Sequence, residues 1–161
     1  MQSLKQLRAL IDKTPARLNK LPLSRVELQP SLSRWSPKQE LGHLLDSADN
    51  NHQRIVRTQL EDEPRMPGYD GDAWVELHGY QQWNWKEMIE LWRALNERLL
   101  AAAEAAPTAA WSRTCTIADS LPLTLKFVFE DYVEHMIHHL QHIGIEIAQL
   151  ETENGELKSK N

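Results

Sequence analysis

Cysteine is almost absent from this chain. Cys115 is the only one in 161 residues, which excludes an internal disulfide and any thiolate-rich zinc cluster. Long apolar runs are missing too, and nothing approaches the roughly 20 residues that a membrane-spanning helix needs. The opening segment MQSLKQLRALIDKTP is amphipathic and lacks the continuous apolar stretch of a secretory signal. The expectation is therefore a cytoplasmic protein with no membrane partner. Basic runs are also absent, and the net charge is −5. Phosphate backbones are gripped by clustered Lys and Arg, so nucleic acid is not an expected partner. Alternation of period two, the mark of a half-buried strand, does not occur over any length.

What is present is helical periodicity. Leu4, Leu7, Leu10 and Ile11 open a first helix. Thr14-Pro15 reads as a cap and a first-turn proline that bends this helix, or restarts it through about Leu21. Residues 22–34 are irregular. Ser36-Pro37-Lys38-Gln39 is a capping box with proline at the first helical position. It starts a second helix that runs to about Leu60. Residues 61–80 form a connection too long and too aromatic for a plain linker, and such connections are often functional. A third helix covers about 82–105, with Met88, Leu91, Leu95 and Leu99 on one face. Residues 107–120 are irregular again. A fourth helix spans about Leu121 to Leu150 and continues through Gly144, at a cost near 1 kcal/mol relative to alanine. The fold expected is all-α, a four-helix bundle over residues 1–150 as a single domain. A polar, frayed tail covers residues 151–161.

Four of the seven histidines crowd into EHMIHHLQHI. At about 100° per residue, His135 and His139 stand one turn apart on one face. That is how a helix offers two imidazoles to a single metal ion. Asp131, one turn earlier, is placed to orient an imidazole from behind. Two ligands leave a site incomplete, and His43, well inside the second helix, is the best candidate for the third. His52 is nine residues further on, about 180° around the helix, and faces elsewhere. His78 lies in the long connection. Ser47, Asn50 and Arg54 share roughly the face of His43, with Asp46 beside it. That polar stripe is a solvent face unless it lines a cavity between helices, where its groups must be paired. His138 and His142 read equally well as surface residues. Taken singly, any helical histidine is more often a surface or core residue than a ligand.

Three segments together resemble the DinB-like superfamily, and within it the YfiT-like group named for metal-dependent hydrolysis. They are WSPKQELGHLLDSADNNHQR (35–54), EDEPRMPGYDGDAWVEL (61–77) and HMIHHLQHI (135–143). The resemblance implies a four-helix bundle, a homodimer, and one divalent ion per chain, zinc or nickel. It places the ligands at His43, His135 and His139. Gly42 departs from the pattern, standing where close relatives often have a second histidine. His78-Gly79-Tyr80 departs as well, replacing a stretch that is often acidic.

An all-histidine set leaves open coordination positions, which suits catalysis or ligand capture better than a structural clamp. Imidazole does not name the metal. Three readings follow. In the first, the protein is a hydrolase in which the metal activates a water. Its base would come from Asp46, Asp131 or Glu134, with Asp46 preferred. In the second, it is an S-transferase for a low-molecular-weight thiol of the bacillithiol or mycothiol type, since a coordinated thiol loses its proton readily. Tyr69 and Trp74 would then shape a second pocket, and Arg54 would bind an anionic group of thiol or substrate. The third reading is a non-catalytic, metal-binding stress-response module. Trp74, Trp83, Trp85 and Trp92 have a plainer use as core or interface anchors. Cys115, with no histidine nearby in sequence, is an unpromising nucleophile.

Overall fold

Local chemistry sets the ends of the helices. A computed structural model of the chain describes residues 1–31 and 33–148. Helix α1 is Gln2–Leu18, the short α2 is Leu23–Val26, and α3 is Pro37–Leu60. The capping box forms as read. The Ser36 hydroxyl accepts from the Gln39 N–H at 3.2 Å, and the Gln39 side chain accepts from the Ser36 N–H at 3.0 Å. Helix α4 is Gly71–His78, α5 is Trp85–Glu104 and α6 is Leu125–Ile143.

The four long helices α1, α3, α5 and α6 make a four-helix bundle. Helix α3 packs broadly on both α5 and α6, and α1 closes the other side against the same two. Leu7 and Leu10, Leu41, Leu44 and Ile55, Met88, Trp92 and Leu99, and Phe129 and Leu140 are each no more than 2% exposed. Burying one such side chain stabilises the fold by about 1.5–3 kcal/mol. Trp85 and Trp92 are core residues, and the Trp85 indole N–H donates to the Leu18 carbonyl at 3.1 Å.

Several sequence expectations are corrected. Pro15 does not restart a helix: it lies inside α1, near its C-terminal end, where its missing N–H forfeits one backbone hydrogen bond. The Thr14 hydroxyl, read as a cap, is buried without a partner. Helix α5 begins at Trp85, not near 82, because the Asn84 side chain accepts from the N–H groups of Lys86 and Glu87. Helix α6 begins at Leu125, not Leu121, where Thr124 caps it. It ends at Ile143. Gly144 takes the left-handed conformation (φ +96°) that an L side chain resists, and the Ile145 N–H reaches back to the Leu140 carbonyl. The glycine is a stop, not a helical residue. The connection 61–80 holds α4, and a small sheet joins β1 (Arg65–Met66), β2 (Thr114–Ile117) and β3 (Leu123–Thr124). Strand β1 is parallel to β2, and β2 is antiparallel to β3. Strands of two to four residues carry no readable alternation, so periodicity missed them. The expected tail at 151–161 lies outside the described residues. Among the described residues, no helix is long and apolar enough to cross a membrane.

Tyr132 and Asn96 stitch α5 to α6 inside the core. The Tyr132 hydroxyl donates to Asn96 Oδ1, and Asn96 Nδ2 donates to the Trp92 carbonyl. Replacing Tyr132 by Phe leaves a fully buried amide oxygen without its donor. The expected loss is about 1–3 kcal/mol by urea unfolding; an unchanged midpoint would show that the bond is not a determinant of stability.

Candidate metal centre

Helices α3 and α6 face each other, and their contact brings His43 together with His135 and His139. His43 Nε2 is 3.1 Å from His135 Nε2, and His139 Nε2 is also 3.1 Å from His135 Nε2. One ligand atom from each ring falls within a single 4.8 Å cluster. Hydrogen bonding alone accounts poorly for this trio, because a ring nitrogen carries either a proton or a lone pair. His135 Nε2 would have to serve two ring nitrogens at once.

The donor set fits a divalent ion in two respects. Ligands about 2.0–2.1 Å from an ion are about 2.9 Å apart at right angles and about 3.4 Å apart at tetrahedral angles. The observed 3.1 Å spacings lie between these values. The far side of each of two rings also meets an oxygen able to accept from Nδ1. His139 Nδ1 donates to Glu40 Oε2 at 2.6 Å, and His135 Nδ1 faces Ser47 Oγ at 3.4 Å. With those protons on Nδ1, both Nε2 lone pairs point into the cluster. His43 Nδ1 is buried without a partner.

Electrostatics keeps the rings neutral. Burial, then the charges His139 and His135 would carry, lowers the His43 pKa to about 3. Burial, then His139 and His138, lowers that of His135 to about 4. Each is therefore an unprotonated ligand at neutral pH without competition from a proton.

The carboxylate behind the site is Glu40, not Asp131. Asp131 is exposed, whereas Glu40 is 7% exposed and spends both oxygens on histidines. Oε2 binds His139, and Oε1 lies 3.2 Å from His142 Nδ1. Glu40 stands one turn before His43, and that spacing was its only signal in the sequence. Trp35 lies against the site, its ring centroid 4.9 Å from that of His43 and 6.1 Å from that of His139. A cavity of about 340 Å³ opens beside His139, with Trp35 as one wall.

The other predicted residues are placed as follows. Asp46 is 4% exposed. Its Oδ1 accepts from the Tyr80 hydroxyl at 2.6 Å and lies 3.1 Å from His78 Nδ1, while Oδ2 is buried without a partner. Burial raises its pKa, against the pull of Tyr80 and His78. Arg54 is half-buried, and its Nη1 donates to Asn51 Oδ1 at 3.3 Å. Asn51 in turn donates to the Ser47 carbonyl, whereas Asn50 serves the Asp46 carbonyl. Tyr69 packs toward His43 and Trp74, at 6.3 and 4.9 Å between ring centroids. Glu134 and His138 are exposed. His52 is set among Arg98 and Asp49, away from the trio. Cys115, in β2, is buried in a small cluster with Met66 of β1 and Val128 of α6.

The two departures from the family pattern touch each other. The Tyr80 ring fills the space above Gly42, where a Cβ would come within 2.1 Å of it. A side chain at 42 and Tyr80 on Asp46 are thus mutually exclusive.

These features define a helical-bundle protein with a histidine cluster that could hold a metal ion, and its likeness to known proteins lies in the same direction. The chain matches the model of the DinB superfamily over residues 6–143, and it belongs to that superfamily. It is 26% identical over 133 residues to "Putative metal-dependent hydrolase BH0277" of Halalkalibacterium halodurans, across 80% of this chain and 77% of that protein. It is 28% identical over 110 residues to "Putative metal-dependent hydrolase YfiT" of Bacillus subtilis, across 68% of this chain and 62% of that one. The solved structure of Bacillus subtilis YfiT, described as "a probable metal-dependent hydrolase with an unusual four-helix bundle topology", is similar at a TM-score of 0.77 and 25% identity. That match covers 96% of this chain and 88% of YfiT. A mycothiol-dependent maleylpyruvate isomerase shares the fold at a TM-score of 0.69 and 14% identity, over 86% of this chain and 58% of its own.

Two outcomes are expected. Glu40→Ala frees the His139 ring and should weaken zinc binding about ten- to a hundredfold in a chelator competition titration; wild-type affinity in this variant would remove Glu40 from that role. The second concerns pH. With folded values of about 3 and 4 for His43 and His135 against about 6.5 unfolded, the unfolded chain binds protons first as pH falls. The metal-free protein should therefore lose stability as pH drops from about 6.5 to about 4, with no such contribution above pH 7. His43→Gln should flatten that slope in melting curves, and equal slopes would contradict the assignment.

Proposed function

We propose that this protein is a metal-dependent hydrolase whose ion is held by His43, His135 and His139. The observation that carries the reading is the convergence of three imidazole nitrogens beside an open cavity. Three protein ligands leave room for a reactant. A divalent ion held there would act as a Lewis acid, polarising a bound carbonyl and easing the loss of a proton from water or a thiol.

This chain's own residues do the rest. Glu40 fixes the orientation of His139 and strengthens it as a donor. Ser47 does the same, more weakly, for His135. Trp35 and Tyr69 flank His43 with aromatic surface that limits access of bulk water.

One observation favours a second reading, S-transfer with a low-molecular-weight thiol of the bacillithiol or mycothiol class. No carboxylate touches the Nε2 atoms at the centre of the trio among the described residues: Asp46 turns Oδ1 to Tyr80 and His78, Glu40 is engaged by the far sides of two histidines, and Asp131 and Glu134 are exposed. Water must surrender a proton held about seven pKa units more tightly than that of a thiol. A site with no base in contact with the ligand cluster therefore handles a thiol more easily than water.

Metal analysis of the purified protein should give close to one divalent ion per chain, falling below about a tenth of that in His135→Ala. Turnover of aryl esters or amides that stops with a chelator and returns with zinc or nickel supports the hydrolase. Turnover of an electrophile only when a cellular thiol is added supports the transferase. Metal without either activity leaves a binding module, and a metal-free wild type overturns all three.

A further inference from the structure

The cavity beside His139 has a charge arrangement that the metal centre does not use. Glu40 and the histidines on its floor are satisfied by one another. Two further charges line it, Arg34 and Asp72. Both are exposed, and among the described residues neither side chain has a hydrogen bond or ion pair. They do not pair across the opening either, so their charged atoms are more than 4.0 Å apart. Asp72 lies in the first turn of α4, next to Gly71, whose backbone is pressed so closely on His43 that a Cβ there would come within 2.9 Å of the ring. Arg34 adjoins Trp35, the aromatic wall. One cation and one anion thus stand near the candidate metal, each bordering a ligand or its aromatic neighbour, with about 340 Å³ of space alongside. That volume falls in the range of small-ligand pockets.

We propose that this cavity is a subsite for a zwitterionic, amino-acid-like head group, with Arg34 receiving its carboxylate and Asp72 its ammonium. The inference rests on the metal-centre reading above and names the class of substrate or thiol for that site. A zwitterion suits the pair better than a simple anion. With only one charge filled, the other would stand beside a ligand group it does not match. The guanidinium fork accepts a carboxylate with two parallel bonds, and Trp35 supplies a face for the carbon chain between the charges. Exposed pairs are individually weak, so each charge should contribute about two- to fivefold in affinity, and less at high salt.

A matched set of hydroxamates tests this on the cobalt(II)-loaded protein, with binding read from the cobalt absorption bands. Glutamate γ-hydroxamate carries both charges, glutaric monohydroxamate the carboxylate, 4-aminobutyrohydroxamate the ammonium, and butyrohydroxamate neither. Glutamate γ-hydroxamate should bind about tenfold tighter than butyrohydroxamate, with the singly charged probes between. Arg34→Ala should remove only the advantage of the carboxylate, and Asp72→Asn only that of the ammonium. Butyrohydroxamate affinity and the cobalt spectrum should not change in either variant. Equal affinity for all four probes, or a preference that survives both substitutions, overturns the subsite and leaves the metal centre intact. Failure to take up cobalt, or bands that respond to no hydroxamate, overturns the metal-centre reading and this inference with it.

Discussion

The face-to-face packing of α3 and α6 is the contact on which the chemistry of this protein depends. It removes His43 and His135 from water and holds them 3.1 Å apart at their Nε2 atoms. A charged imidazole in that position would lose its hydration and face like charges, so the rings stay neutral. Neutrality is what a metal ligand requires. The packing expected to cost the metal-free fold stability in acid also leaves His43 and His135 unprotonated, as a metal ligand would have to be.

Glu40 extends this logic outward. A buried carboxylate is expensive unless it is paired, and this one is paired twice, to His139 and to His142. It sets the His139 tautomer, and it gives His142 a reason to lie beside the site rather than on an indifferent surface. The orphaned Nδ1 of His43 is the contrasting case. That ring is held by packing against Trp35 and the backbone of Gly71, not by a polar partner.

How much of this was legible in the sequence depends on whether a feature is local. The i, i+4 pair His135 and His139 and the capping box at Ser36 are fixed by helical geometry within one segment, and both could be read directly. The third imidazole could not be read in that way. Nothing local ties His43 to a helix some ninety residues away; its place inside the second helix and the polar face around it made it a candidate, and the family resemblance then brought it in as the third ligand. Glu40 was missed because its partners are distant in sequence, and Asp131 was preferred only because its partner was near. The short strands were missed because two to four residues hold no period. Gly144 was misread because a glycine that continues a helix and one that ends it look alike until the chain beyond is seen.

Asp46 shows most clearly what spacing leaves out. On a helical wheel it stands beside the histidine face and looks like a free base. In the fold, the Tyr80 ring lies over Gly42 and delivers its hydroxyl to Asp46, while His78 reaches the same oxygen from α4. The two positions read as departures from the family resemblance therefore lie in direct contact. A small residue at 42 admits Tyr80, and Tyr80 occupies the carboxylate. Tyr80 and His78 hold only Oδ1, and Oδ2 is buried without a partner, so the contact fixes how Asp46 is oriented while leaving one oxygen unengaged. The identity of the residue at 42 is in this way tied to the orientation of Asp46, although its own contacts are with an aromatic ring.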